Sequence, residues 1–230
     1  MNKPLSLSST GLKLIAMATM FVDHVGLLFF PEEFLFRLVG RISFPIFAFL
    51  IAEGFEKTSH IWKYLYRLLA FAALSQIPYS LFMQTSGASL IRLNIFFTLA
   101  GGLLALILLR KVRAAYAALG ILLIAVIAKY ALFDYGIYGI LAVLGSSLFL
   151  HFRSAGIAVL LGLPFLRVVA TLFSSSPSLL QGYATLSVPF IMLYDGTHGR
   201  RLPRIYFYLF YPAHLLVLAL IWFLIHSRYA

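Results

Sequence analysis

The sequence contains no cysteine, which excludes a disulfide framework and a thiolate metal site. Charge is also scarce, because only 11% of the 230 residues are charged and only seven are acidic. Soluble domains are about a quarter charged. The chain therefore lies far outside the composition of a water-soluble fold.

Several motifs are missing as well. No P-loop, dinucleotide-binding fingerprint or metal-ligand spacing is present, so we expect no metal site. We find no internal repeat, and the breaks between apolar stretches are too short for a second domain. The sequence predicts a single domain over residues 1–230.

Long apolar stretches dominate what is present. Hydrophobic residues make up 62% of the chain, and the mean hydropathy is +0.98. A hydrocarbon core about 30 Å thick is crossed by about 20 apolar residues in a helix. The predicted spans are 12–30, 38–55, 64–83, 93–110, 114–133, 137–152, 155–173, 179–195 and 205–226. They lack the two-residue alternation of barrel strands. An all-α, polytopic transmembrane helix bundle of about nine spans follows, with eight or ten possible because the sixth is short.

The net charge of +11 would suggest nucleic acid in a soluble protein. Here the basic residues fall in the breaks between apolar runs, which favours anionic head groups or an anionic substrate and no nucleic acid. With nine spans, twelve of the eighteen Lys and Arg residues share the side of the N-terminus. The other six are Arg37, Arg41, Arg92, Lys129, Arg167 and Arg228. Because basic loops stay inside, the N-terminus is predicted to be cytoplasmic.

Three ionisable residues fall deep inside predicted spans, where such groups are costly and are functional candidates. His24 lies eleven residues after Lys13, a rise of about 16 Å. His214 lies about 14 Å into the last span, so the two imidazoles are expected at similar depth. Asp23 points about 100° away from His24 on the same helix, so we expect it to pair with another helix.

Further polar residues interrupt the spans at Arg41, Glu53, Asn94 and Asp134. Such groups can simply bond to one another and hold a bundle together. A histidine in mid-membrane differs from them, because it exchanges a proton near neutral pH.

Six segments resemble the TraX family in order along nearly the whole chain. They are residues 12–17 (LKLIAM) with 23–26 (DHVG), 40–55 (GRISFPIFAFLIAEGF), 64–68 (YLYRL), 94–98 (NIFFT), 134–139 (DYGIYG) and 210–214 (FYPAH). The resemblance implies an acetyltransferase of the bacterial cytoplasmic (inner) membrane, whose family prototype is needed to N-acetylate pilin. The family is similar to wider transmembrane acyltransferases that begin with a basic residue, ten residues and a histidine. Lys13 and His24 keep that spacing, with Lys replacing the usual Arg.

The resemblance implies acetyl-CoA as donor and an amine or hydroxyl acceptor, either a membrane-inserted pilin or a cell-envelope molecule. We expect His24 to be the general base or acetyl carrier. The expected catalytic residues are His24, Asp23 and His214. The expected acceptor-binding residues are Arg41, Glu53, Asn94, Asp134, Tyr135 and Tyr211. The expected donor-binding residues are Lys13, Lys57, Lys63, Arg67, Arg200 and Arg201.

Two other functions remain open at this point. A small transporter or lipid-handling protein could relay protons through His24, Glu53 and His214. A pilus-assembly scaffold would need no chemistry at all. In each case membrane lipids surround the protein.

Overall fold

A computed structural model describes residues 6–87, 92–172, 179–200 and 202–227. The described chain is helical, and outside the helices its strand-like pairing is limited to two isolated bridges. The helices are α1 Ser9–Phe29, α2 Phe34–Gly40, α3 Ser43–Lys57, α4 Ile61–Thr85, α5 Ile95–Lys111, α6 Ala114–Tyr130, α7 Gly136–His151, α8 Arg153–Leu172, a 3-10 helix Leu180–Ser187, α9 Val188–Met192 and α10 Arg204–His226.

Every predicted span corresponds to helix in the structure, with ends displaced by a few residues. Two spans are not single α-helices. The second is broken between Gly40 and Ser43, giving the short α2 and the longer α3. The eighth begins as a 3-10 helix and becomes α-helical only at Val188.

The bundle has two ends, which we name after a residue at each. At the Lys57 end, the Lys57 ammonium donates to the Gly196 carbonyl and the Arg153 guanidinium donates to the Met192 carbonyl. At the Asp134 end, the Asp134 amide donates to the Leu93 carbonyl. Successive helices run between these two ends in alternating directions. Helices α2 and α3 together make one such passage, and the 3-10 helix and α9 together make another.

Within the described residues, four stretches are long and apolar enough to cross a membrane: Ser9–Phe29, Phe34–Lys57, Arg153–Leu172 and Arg204–His226. Two shorter helices, Ala114–Tyr130 and Gly136–His151, are also apolar. Large apolar side chains are exposed around the outside of the bundle, including Leu119, Leu122 and Phe165. Water solvates such a surface poorly and lipid solvates it well, which is the character of a membrane protein.

Candidate functional site

The two deep histidines meet in the interior. His24 of α1 and His214 of α10 lie with Nδ1 and Nε2 2.7 Å apart, and their ring planes are nearly parallel. The predicted similar depth of the two imidazoles is confirmed. Phe82 packs against the His24 ring, while Phe210 stacks on the His214 ring.

Hydrogen-bond logic fixes the tautomer of each ring. His214 Nδ1 lies 2.6 Å from the Phe210 carbonyl, which can only accept, so His214 Nδ1 carries a proton. In the neutral ring, His214 Nε2 is then an acceptor, and His24 Nδ1 must donate to it. His24 Nε2 is left as an unprotonated nitrogen. The pair thus presents one basic atom, oriented by its neighbour.

A cavity of about 370 Å³ opens at the Asp134 end, and His24 lines it. We call it the Asp134-end cavity. Its charged lining consists of Asp23, Asp134, Arg37, Arg41, Arg92 and Arg167. Three aromatic rings form an apolar part of the cavity wall. The rings of Phe44 and Tyr135 stack with their centroids 3.7 Å apart, and Tyr138 packs beside them.

Asp23 holds two arginines in this wall. Its carboxylate accepts from Arg37 at 2.8 Å and from Arg41 at 3.1 and 3.2 Å. The expected pairing of Asp23 with another helix is therefore confirmed. Gly40 permits the approach, since a Cβ there would overlap the Asp23 carboxylate. The ion pairs join α1 to α2 and to the turn between α2 and α3, next to His24 on α1.

A second cavity, of about 400 Å³, opens at the Lys57 end. We call it the Lys57-end cavity. Its charged lining comprises Lys13, Lys57, Arg67, Arg204 and Glu53, and His60 and His198 also contribute. Lys13 lies over the Phe207 ring, and the Arg67 Nε donates to the Tyr208 hydroxyl at 3.1 Å.

The two cavities share part of their walls. Met20, Phe47, Ile95 and Tyr211 line both, so a thin partition of four side chains separates the cavities. Helix α1 crosses this partition. Lys13 lies in the Lys57-end cavity, Met20 lies in the partition, and His24 lies in the Asp134-end cavity. The spacing between Lys13 and His24 thus places one of these two residues in each cavity.

Two residues expected to bind the acceptor lie elsewhere. Glu53 lines the Lys57-end cavity, where its Oε1 accepts from Ser9, Tyr194 and Lys57, each at 2.7 Å. Asn94 is fully buried and lines neither cavity.

Asn94 instead caps α5. Its side-chain amide donates to the Ala72 carbonyl at 2.7 Å and to Gln76 Oε1 at 2.9 Å, while its oxygen accepts from the Phe96 amide. These bonds use both of its donors, and they join α5 to α4 rather than meeting a ligand.

The residues that were expected to bind the donor also fall into two groups, those that line the Lys57-end cavity and those that do not. Lys13, Lys57 and Arg67 line the Lys57-end cavity, whereas Lys63 is exposed and does not. Arg200 is exposed, and its carbonyl accepts from the Thr10 hydroxyl. Arg201 lies outside the described residues.

Sequence reasoning did not select Arg37, Arg92, Arg167 and Arg204 as site residues. A usable signal existed for the first three, because each is a cation on the side of the predicted bundle that basic residues avoid. No such signal marked Tyr79 or Gln181, which also line the Asp134-end cavity.

Comparison with known proteins places this arrangement in a family. The model of the TraX protein family matches residues 8–222, which is nearly the whole chain. The chain belongs to the TraX family. This confirms the resemblance carried by the segments around His24, Arg41 and His214.

This TraX-family chain is similar to the probable fimbrial assembly protein FimC, serogroup H1, of Dichelobacter nodosus. The two are 36% identical over 241 aligned positions, covering 95% of this chain and 97% of the relative. An uncharacterized protein of Rickettsia prowazekii (strain Madrid E) is 41% identical over 44 residues, covering 19% of this chain and 18% of that protein. No solved structure matches the chain.

Proposed function

We propose that this chain is an integral membrane acetyltransferase that moves an acetyl group from acetyl-CoA to an amine or hydroxyl acceptor. The observation that carries the proposal is the position of His24. Its ring belongs to a hydrogen-bonded pair and lines a cavity that shares four wall residues with a second, cationic cavity. Two reactants could therefore approach one basic atom from opposite ends of the bundle.

The Lys57-end cavity suits the donor. Acetyl-CoA carries several phosphate charges, and Lys13, Arg67 and Arg204 supply a matching set of cations. Arg204 and His60 are exposed at the mouth, where a nucleotide would be held. A slender acyl arm is the part of such a molecule that can reach the partition.

Met20 is the partition residue best able to yield. Methionine is unbranched and changes shape at low cost. Its displacement would connect the two cavities beside His24, while the aromatic rings of Phe47 and Tyr211 keep bulk water out. Exclusion of water matters because a thioester is otherwise lost to hydrolysis.

His24 then acts as the general base. Its Nε2 removes the proton from the acceptor N–H or O–H as that nitrogen or oxygen attacks the acetyl carbonyl. The carbon–sulfur bond breaks as the new bond forms, and the proton on His24 passes to the departing thiolate. His214 accepts from His24 Nδ1 throughout and stabilises the charged imidazole.

Proton transport through His24, Glu53 and His214 has less support. Glu53 lines the other cavity, and its Oε1 is already engaged by three donors. A proton path would need to cross the partition, where no carboxylate or imidazole lies among the four residues that form it and the Tyr211 hydroxyl is the one polar side-chain group.

We further propose that the nine passages cross the bacterial inner membrane, with the N-terminus and the Lys57 end in the cytoplasm. That side holds most of the Lys and Arg residues and is where acetyl-CoA is made. A reporter fused after Arg113 should read cytoplasmic, and one inserted after Gly87 should read external. The same reading at both positions would contradict this topology.

The acceptor is proposed to serve pilus or cell-envelope assembly, with a membrane-inserted pilin as one candidate. The similarity to a probable fimbrial assembly protein over 97% of its length supports this setting. The decisive experiment measures acetyl-CoA binding to the detergent-purified protein, with S-acetylpantetheine, the acyl arm without the phosphates, as the matched control. A protein that does not bind acetyl-CoA is not this acetyltransferase.

A further inference from the structure

The Asp134-end cavity carries more positive than negative charge. Four arginines and two aspartates line it, a formal excess of two positive charges. Asp23 forms ion pairs with Arg37 and Arg41. The guanidinium groups of Arg92 and Arg167 have no hydrogen bond or ion pair within the residues that the structure describes. Burial also raises the pKa of the Asp134 carboxyl, which shifts it toward its neutral form and leaves the arginines less compensated.

A buried hydrogen-bond donor points the same way. Arg41 Nε has no partner inside the described ranges, and Arg41 lines this cavity. The Tyr79 hydroxyl and the Gln181 amide line it as well, next to Asp134 and Tyr138 respectively. A buried donor without an acceptor is costly. An oxygen atom of a ligand would supply the missing acceptor.

The position of these cations is also unusual. Basic residues are depleted in loops that face away from the cytoplasm. In the proposed topology Arg37, Arg41, Arg92 and Arg167 belong to that side, and all of them converge on one cavity. Lys129 is assigned to the same side and does not line it.

We propose that the Asp134-end cavity binds an oxyanion, a carboxylate or phosphate, carried by the acceptor. The inference rests on the proposed function only in naming the ligand as the acceptor. Because His24 lines the same cavity, the anionic group and the nucleophile belong to one molecule. Arg92 and Arg167 hold the anion, and the free Nε donor of Arg41 orients it.

Calorimetry on the protein purified in maltoside detergent tests the anion site directly. Glycerol 1-phosphate and glucuronate are the probes, with glycerol and glucose as uncharged counterparts of matched shape. The charged members should bind and the neutral ones should not. Arg167→Gln and Arg92→Gln should each weaken binding about tenfold, as expected for loss of one charge-assisted hydrogen bond. Lys129→Gln, at the same end but outside the cavity, should bind as the unchanged protein does.

A separate experiment tests whether the oxyanion is a lipid head group. Reconstitution into phosphatidylglycerol nanodiscs should weaken glycerol 1-phosphate binding about tenfold if lipid head groups fill the cavity. Unchanged affinity there assigns the oxyanion to a soluble or protein-borne acceptor. Both results support the oxyanion site. Equal binding of charged and neutral probes, or no effect of either arginine variant, would overturn it.

Acetyl-CoA binding is measured on the same samples, so the two proposals fail separately. Anion binding without acetyl-CoA binding supports the oxyanion site and contradicts the acetyltransferase. Acetyl-CoA binding with no preference for anions contradicts only the oxyanion site.

Discussion

The two cavities have similar volumes, about 370 and 400 Å³, and both are rich in cations, yet they are built differently. In the Asp134-end cavity the buried Asp23 carboxylate accepts from Arg37 and Arg41 and fixes helix positions, while Arg92 and Arg167 are exposed. In the Lys57-end cavity several cations lie at an exposed mouth, and Glu53 is engaged by its own neighbours. Charge fixed by ion pairs beside His24 suits chemistry and orientation, whereas charge at a mouth suits capture of a large anionic substrate.

His24 lines the Asp134-end cavity and not the Lys57-end cavity, so the first prediction concerns His24 and has the largest expected effect. His24→Gln keeps a polar side chain but cannot exchange a proton near neutral pH. Transfer of radiolabelled acetyl groups to the membrane fraction should fall by a factor of about 10²–10⁴. Acetyl-CoA affinity should not change, because His24 lies beyond the partition. His226→Gln, on the exposed end of α10, is the matched control, and an active His24→Gln protein would contradict the assigned role.

The second prediction tests whether the Asp23 ion pairs at the Asp134 end are structural. Asp23→Asn leaves the partly buried Arg37 and Arg41 without their partner, and breaking a fully buried pair costs about 3–5 kcal/mol, which is the upper limit here. The free energy of unfolding in detergent should fall accordingly. Glu32→Gln changes an exposed carboxylate nearby and should have little effect. Unchanged stability with lost transfer would instead make Asp23 a participant in the chemistry.

The third prediction concerns the mouth of the Lys57-end cavity. Arg204→Gln should weaken acetyl-CoA binding about tenfold, and the affinity should depend less on salt, since one charge contact is removed. Stability should be retained because Arg204 is exposed. Lys63→Gln provides the comparison, as Lys63 is an exposed cation at the same end that does not line the cavity. Equal losses in both variants would mean that general positive charge, rather than the cavity, attracts the donor.

The fourth prediction has the smallest expected effect and concerns Asn94, a structural residue that lines neither cavity. Asn94→Ala removes the cap of α5 and should lower the free energy of unfolding by about 1–2 kcal/mol. Acetyl-CoA and anion affinities should match those of the unchanged protein, because Asn94 lines neither cavity. Gln84→Ala, an exposed amide on the last turn of α4, should leave all three measurements unchanged. A lost ligand affinity in Asn94→Ala alone would return this residue to the acceptor site.

The sequence predicted the positions of some site residues correctly and of others incorrectly. His24 and His214 were predicted to meet because helix rise is constant, so depth can be counted along each span. Asn94 was expected at the acceptor site, yet it bonds Ala72 and Gln76. A count along one helix gives depth but not which neighbouring helix a side chain faces.

The sequence by itself determined the helices, the membrane character, the family and the depth of the histidines. These depend on local composition and on a fixed rise per residue, and neither needs contacts between distant segments. Tertiary structure alone decided that Asp23 holds Arg37 and Arg41, that Glu53 lies apart from His24, and that four side chains separate two cavities. Each of these depends on how helices far apart in the chain rotate and pack against one another, because a side chain acquires its partner only when another helix is placed beside it.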